Sequence, residues 1–241
     1  MKKDFNVNRT DALIVADVQN DFCPGGALPV PECDQVIPIL NDYIKIFEKS
    51  NAKIFATRDW HPQNHISFKA QGGPWLPHCI QDTEGARFHP DLKLPTKTTI
   101  ISKAKDPHKE AYSGFEDTEL EDKLKKQNVT RVFVGGLTTD YCVKNTVLDA
   151  RKIGFDTVLL IDATRGINVE PDDVARAISE MMKSGVKKAT LIDFPEPLDF
   201  PQAKDIESEP LDDKPLSKFE MKKKARMRSR GPYKRVRAER G

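Results

Sequence analysis

Long apolar runs are missing from this chain. Nowhere in its 241 residues do 18 or more apolar residues follow one another, so no segment has the composition of a membrane-spanning helix. Cysteine is scarce as well. Cys23, Cys33, Cys79 and Cys142 are the full set; they are too few and too scattered for a disulfide scaffold, no pair has CxxC spacing, and they read as reduced thiols. The opening MKKDFNVNRT leads to a strand-like run with no apolar signal segment between, and no internal repeat is evident. These absences predict a soluble, cytoplasmic protein with no membrane partner.

A net charge of +2 conceals an asymmetry. Between Lys218 and Gly241 eleven Lys and Arg face two Glu, a net +9, so residues 1–217 carry −7. The basic segment KFEMKKKARMRSRGPYKRVRAERG has no apolar periodicity, and EPLDFPQAKDIESEPLDDKPL before it is rich in proline and acid, so neither is expected to pack. The sequence therefore predicts one domain over residues 1–200 and a disordered extension over 201–241, basic from 218. Nucleic acid would be a partner only through that tail, which would equally serve as a nuclear-import segment.

Within the body, DALIVAD (11–17), AKIFATR (52–58), TTIISK (98–103), TRVFVGG (130–136), DTVLLID (156–162) and KKATLID (187–193) have the near-continuous apolar character of strands buried on both faces. Helix-period segments lie between them: CDQVIPILNDYIKIFEKS, FEDTELEDKLKKQN, TDYCVKNTVLDARKIG and EPDDVARAISEMMKSG, the last two ending at Gly154 and Gly185. Pro38 conflicts with the first of these helices, which should begin or kink there. The alternation predicts an α/β fold of three layers, α/β/α, around a mostly parallel six-stranded, Rossmann-like sheet. One stretch breaks the alternation. Residues 59–97 form a long loop rich in proline and glycine, and long ordered loops tend to be functional.

Ligands of parallel sheets sit beyond the carboxyl ends of the strands. Asp17 ends the first strand, Arg58-Asp59-Trp60-His61 the second, Lys103 the third and Gly135-Gly136 the fourth, just ahead of Cys142. A lone cysteine is usually a small core hydrophobe. Cys142 differs in lying within the first turn of a helix that Thr139 or Asp140 can cap, where the positive helix end favours a thiolate and free N–H groups can hold an oxyanion. Asp17 would take the thiol proton and pass it to a leaving amine; Lys103 would keep thiolate and carboxylate ionised. A second set, Asp59, His61 and His78, has the chemistry of a site for one divalent transition metal. Zinc is the first expectation, with manganese and iron as alternatives. His65 would be a fourth ligand or an orienting group, Asp82 and Glu84 are further oxygen candidates that read more simply as solvated loop acids, and His89 and His108 read as surface residues.

Five blocks carry a resemblance: ALIVADVQNDFCPGGALPV, FATRDWHPQNHISF, GGPWLPHCI, ISKAKDPHKEAYSGF and VFVGGLTTDYCVKNTVLDA. Over about residues 9–195 the chain resembles the isochorismatase-like cysteine hydrolases, and the block with the Trp-Leu-Pro-His loop resembles the nicotinamidases among them. The resemblance implies Asp17 as acid/base, Lys103 as the lysine, Cys142 as nucleophile, and Asp59, His61 and His78 as metal ligands. It also implies a cis peptide at Leu137–Thr138, an oxyanion hole from the N–H groups of Thr138 and Cys142, and a pyridine slot lined by Phe22, Trp75 and Tyr112. The expected reaction is hydrolysis of nicotinamide to nicotinate and ammonia through a thioester, within NAD salvage. One position departs from the pattern: many nicotinamidases have alanine where this chain has Thr138.

Two other readings compete. Another amide or ureido hydrolase of the same family would share Asp17, Lys103 and Cys142 without needing the metal set, and metal content separates the two. A protein binding nucleic acid or anionic surfaces through its basic tail belongs to a different class, separable by deleting residues 218–241. Relative activity on ring analogues such as pyrazinamide is open, although a slot that reads only a carboxamide and a ring nitrogen should admit them; a homo-oligomer is a possible state with no clear sequence signal.

Overall fold

The computed structural model describes residues 5–195. The boundary expected near residue 200, the extension over 201–241 and its basic segment from 218 lie outside the described residues.

Six strands, β1 (Asp11–Ala16), β2 (Lys53–Asp59), β3 (Thr99–Lys103), β4 (Arg131–Leu137), β5 (Asp156–Arg165) and β6 (Lys187–Ala189), form one sheet in the order β3-β2-β1-β4-β5-β6. Every pairing between them is parallel. The chain winds outward from β1 through β2 to β3, then returns to lay β4 against the other side of β1. The carboxyl ends of β1 and β4 therefore border the crevice where the winding reverses, the usual ligand position in such sheets.

Successive side chains of a strand point to opposite faces, and both faces are apolar here. Leu13, Val15, Ile54, Phe133 and Val158 face one core; Ala12, Ile14, Phe55, Val134 and Leu159 face the other. Helix α1 (Cys33–Lys49) covers the first core with Val36, Leu40, Tyr43 and Phe47, a spacing of three and four residues that keeps one stripe inward. The long loop assists it there, contributing buried Cys79, Ala86 and Leu92. The second core is closed by α2 (Leu120–Lys126), α3 (Lys144–Ile153) and α4 (Asp173–Lys183), through Leu120, Leu124, Val147, Ala150 and Met181. The three-layer arrangement is the one expected.

Three local expectations are corrected. Helix α1 begins at Cys33, ahead of Pro38, and continues through it; the ring removes the one bond that an N–H there would give to the Asp34 carbonyl, a local cost the rest of the helix absorbs. Strand β6 stops at Ala189 rather than running to Asp193, because the Asp193 carboxylate accepts both the N–H and the hydroxyl of Thr190 and turns the chain into a 3₁₀ segment. Cys23 and Cys33 are joined in a disulfide with their Cα atoms 5.4 Å apart, while Cys79 and Cys142 are free. The segment between them doubles back, with Leu28 N–H on Asp21 O and Val30 N–H on Phe22 O, and this brings the start of α1 to Cys23. No helix among the described residues is long and apolar enough to cross a membrane.

Candidate active site

The end of β4 runs so close to β1 that a Cβ on Gly136, whose φ is +119°, would lie 2.1 Å from the Ala16 carbonyl oxygen. Only glycine fits. The chain then passes through a cis Leu137–Thr138 peptide into a π-helical turn, Thr139–Val143, that leads into α3. Cys142 thus stands in the first turn of a helical segment, as expected. The capping expectation fails: the Thr139 hydroxyl pairs with that of Thr164 at 2.8 Å, and the Asp140 carboxylate accepts the N–H groups of Ile167 and Asn168. Both side chains serve the neighbouring loop instead of the helix end.

Asp17 follows β1 in the left-handed region, φ 51°, a conformation costly for a non-glycine residue and concentrated at functional sites. Its N–H bonds to the Thr57 carbonyl and its Oδ1 accepts the Thr57 hydroxyl at 2.6 Å. Lys103, at the end of β3, is fully buried. Its ammonium donates to Asp59 Oδ1, to the Ala111 carbonyl at 3.1 Å and to Cys142 Sγ at 3.4 Å, and stands 3.1 Å from Asp17 Oδ2. That last oxygen lies off the hydrogen-bond direction and has no hydrogen-bond donor among the described residues. Removing a lysine from water costs several kcal/mol, offset here by two carboxylates, a carbonyl and the sulfur.

The shared lysine sets the two carboxyls apart. Burial would raise Asp59, but the charge of Lys103, with which it is directly bonded, outweighs it and holds the group well below the ordinary carboxylate range. Asp17 receives the weaker share of the same cation, and burial, helped by Asp59, lifts it above the ordinary value. Lys103 itself is held well above its usual range: burial opposes its charge, and Asp17, Asp59 and Cys142 overcome that. The thiol departs from expectation. Burial and the two carboxylates push Cys142 well up, against Lys103, so the helix start does not yield a resting thiolate. The resting site pairs a thiol with a carboxylate of raised proton affinity, an arrangement poised to exchange one proton.

Beside this group, ligand atoms of Asp59, His61 and His78, all buried, lie within 4.8 Å of one another. Carbonyl oxygens only accept, so the 2.7 Å contact of His78 Nδ1 with Leu76 O and the 3.3 Å contact of His61 Nδ1 with Ala104 O make both Nδ1 atoms donors. The Nε2 lone pairs are left for an ion. Burial lowers the His78 pKa, favouring the neutral imidazole that ligation requires. This donor set fits a divalent transition metal. His65 stands differently: Nε2 donates to Lys109 O at 3.0 Å, Nδ1 meets Ser67 Oγ at 2.7 Å, and its ring lies against His61 with centroids 4.2 Å apart. Both its nitrogens are engaged by the protein, and the ring buttresses His61.

Residues 11–193 match the isochorismatase domain. The chain belongs to the isochorismatase family. It is 38% identical over 206 residues to the nicotinamidase of Escherichia coli, covering 77% of this chain and 97% of that relative. Its fold superposes on the pyrazinamidase of Pyrococcus horikoshii, solved in complex with zinc, with TM-score 0.72 and 54% identity over 75% of this chain and 99% of the other. The yeast nicotinamidase bound to the inhibitor nicotinaldehyde gives TM-score 0.70 at 28% identity, over 75% and 99%.

A narrow cavity joins the two groups of this isochorismatase-family site, with Asp59, His61, His78, Thr138 and Cys142 in its lining. Phe22 packs against His78 on one side, ring centroids 5.4 Å apart. Trp75 donates from Nε1 to the Tyr112 hydroxyl at 3.0 Å on the other, and burial raises that phenol to about 12. All three expected aromatics line the cavity, together with Leu28, Glu110, Tyr141 and Ile167, which sequence reasoning missed. Tyr141 meets Trp75 edge-on at 5.2 Å; its place beside Cys142 in the helical turn was the available signal. Gln19 was missed too, and it fixes the Asp59 backbone, donating to Asp59 O at 2.8 Å and accepting Asp59 N–H at 2.8 Å. Asp82, Glu84 and His108 are exposed and His89 is half-buried, outside the cavity. A groove at the opposite edge of the sheet, among Arg9, Lys53 and Lys97, carries no acid, imidazole or thiol.

Proposed function

We propose that this protein hydrolyses nicotinamide to nicotinate and ammonia, with Cys142 as nucleophile, Asp17 as acid/base and Lys103 as the cation that organises them. The observation that carries the reading is the convergence of Asp17, Lys103 and Cys142 beside Asp59, His61 and His78, with Cys142 and the last three lining one aromatic-walled cavity. Those last three residues would hold a divalent ion, for which we propose zinc; when bound it supplies positive charge and a coordination position for a ring nitrogen. The likeness to the zinc-bound P. horikoshii pyrazinamidase supports that choice. Phe22, Trp75, Tyr112 and Tyr141 would grip the flat ring by stacked and edge contacts.

In the acylation step Asp17 takes the Cys142 proton as sulfur attacks the carboxamide carbon, and the carbonyl electron pair moves to oxygen. The N–H groups of Thr138 and Cys142 hold that oxyanion. Collapse breaks the C–N bond, with Asp17 returning the proton to the leaving nitrogen, so ammonia departs and a thioester remains. A water that gives a proton to Asp17 then attacks the thioester, releasing nicotinate, and Cys142 regains its proton. The product feeds NAD salvage.

The decisive assay is ammonia release from nicotinamide by the full chain, before chelation, after it, and after reloading with zinc, manganese or iron. Turnover lost with the metal and restored by an ion is the expected result. A metal-loaded protein that leaves nicotinamide untouched overturns the substrate; one that binds no metal overturns the reading.

Asp17 also sets the acid limb of the rate profile. As a base it works only when ionised, and the ionised fraction falls as pH drops through its raised pKa. The acid limb of kcat/KM is therefore expected above the ordinary aspartate value of 3.8. A limb at or below that value contradicts the assignment.

A further inference from the structure

Two adjacent threonines at the end of β4 are used differently. The Thr139 hydroxyl is satisfied by Thr164. The Thr138 hydroxyl has no hydrogen-bond partner among the described residues, although Thr138 is only 4% exposed and lines the cavity with Cys142. Buried hydroxyls nearly always find partners. Three buried side-chain atoms in the described residues lack one, and two of them, Thr138 Oγ1 and Asp17 Oδ2, belong to this site. The Thr138 carbonyl cannot supply the explanation by drawing the residue elsewhere: it already accepts the N–H groups of Tyr141 at 3.1 Å and Val143 at 3.0 Å, which pins the backbone at the mouth of the helical turn.

We propose that the Thr138 hydroxyl is a substrate-binding group that donates to the carboxamide oxygen and completes the oxyanion hole as a third donor. The inference rests on the amidohydrolase reading above and adds a side chain to a hole otherwise made of backbone. The hydroxyl belongs to the residue whose own N–H is assigned to that oxygen, so both donors come from one fixed point. Its hydrogen bond strengthens as the neutral carbonyl becomes an oxyanion, because charged acceptors bind a donor more tightly. An interaction that grows along the reaction lowers the barrier rather than improving ground-state binding.

The test compares the full-length, metal-loaded wild type with Thr138→Val, which keeps the β-branched shape, and Thr138→Ser, which keeps the hydroxyl. Each is assayed for kcat and KM on nicotinamide and for binding of two probes. Nicotinaldehyde, an inhibitor of the yeast relative, can form an S–C bond with Cys142 while its carbonyl pair moves to oxygen and takes up the thiol proton, giving a tetrahedral adduct. Nicotinate stays planar. The expected result for Thr138→Val is a kcat lower by about 10- to 100-fold, KM within about twofold, and aldehyde binding weakened by about the same factor as kcat, with nicotinate, whose planar carboxylate stops short of the tetrahedral geometry, weakened by a smaller factor. Thr138→Ser should return to within about threefold of wild type. Equal kcat and aldehyde affinity in Thr138→Val overturn the proposal. So does a parallel loss in Val and Ser variants, which marks a packing role, or a raised KM with aldehyde binding intact, which places the hydroxyl on the leaving nitrogen. A wild type that neither releases ammonia nor binds the aldehyde overturns the underlying reading instead.

Discussion

Cys142→Ala should cut ammonia release by a factor on the order of 10⁴ or more, leaving metal uptake and the fold unchanged. The size follows from the arrangement. Asp17 and Lys103 act through the sulfur, and with no nucleophile the proton transfer to Asp17 and the cation beside it have nothing to activate. The alanine is small and apolar, and Cys142 is outside the imidazole cluster, although with Asp17 and Asp59 it forms a second group of possible ligands; stability and retained metal content serve as internal controls. A rapid acid quench of wild type with nicotinamide should show a nicotinoyl adduct on the peptide containing Cys142, absent from the variant. Appreciable turnover by the alanine variant, with the adduct missing from wild type, would point to direct attack by water and remove Cys142 from the mechanism.

Lys103→Met should be costly in a second way, lowering folding stability by about 3–5 kcal/mol at neutral pH, with activity lost as well. Methionine approximates the lysine stem but leaves Asp17 and Asp59 facing each other in the core without their cation. The sign of the pH dependence separates this from simple mispacking. In wild type the pKa of Lys103 is raised on folding, so its contribution is fully present below its ordinary value of 10.5 and is lost as pH rises through the folded value. In the variant both buried carboxyls lose their compensating charge, their folded pKa values rise, and stability falls as pH rises through them. The gap to wild type in urea denaturation should therefore narrow on acidification toward the carboxylate range. A gap independent of pH, or none, contradicts the role of Lys103 as counterion.

The sheet was readable because strands buried on both faces write themselves as apolar runs, and parallel winding brings their carboxyl ends to one edge. That logic places Asp17, Lys103 and Cys142 near one another without any knowledge of side-chain contacts. Asp59, His61 and His78 stood out by chemistry, since acids and imidazoles close in sequence have few structural uses. What escaped depends on tertiary partners. Thr139 and Asp140 have good capping chemistry, but Thr164 and the N–H groups of Ile167 and Asn168 compete for them. The Cys23–Cys33 pairing requires the intervening segment to double back, which residue spacing does not reveal. The proton affinity of Cys142 was misjudged for a related reason: a helix start is a local feature, whereas burial beside two carboxylates is a property of the assembled core.

The strand order has a consequence for how the molecule comes into being. β1 is central in space but early in the chain, and one of its edges is completed by β4, which begins at Arg131. Until that segment arrives, a growing polypeptide has an apolar central strand with one flank unpaired, the kind of edge prone to wrong partners. The strand that covers it leads directly into the segment carrying the thiol. Covering that flank of β1 and delivering the reactive sulfur are thus consecutive steps along the chain, so a chain that stops short of β4 carries the acid and the lysine but no nucleophile.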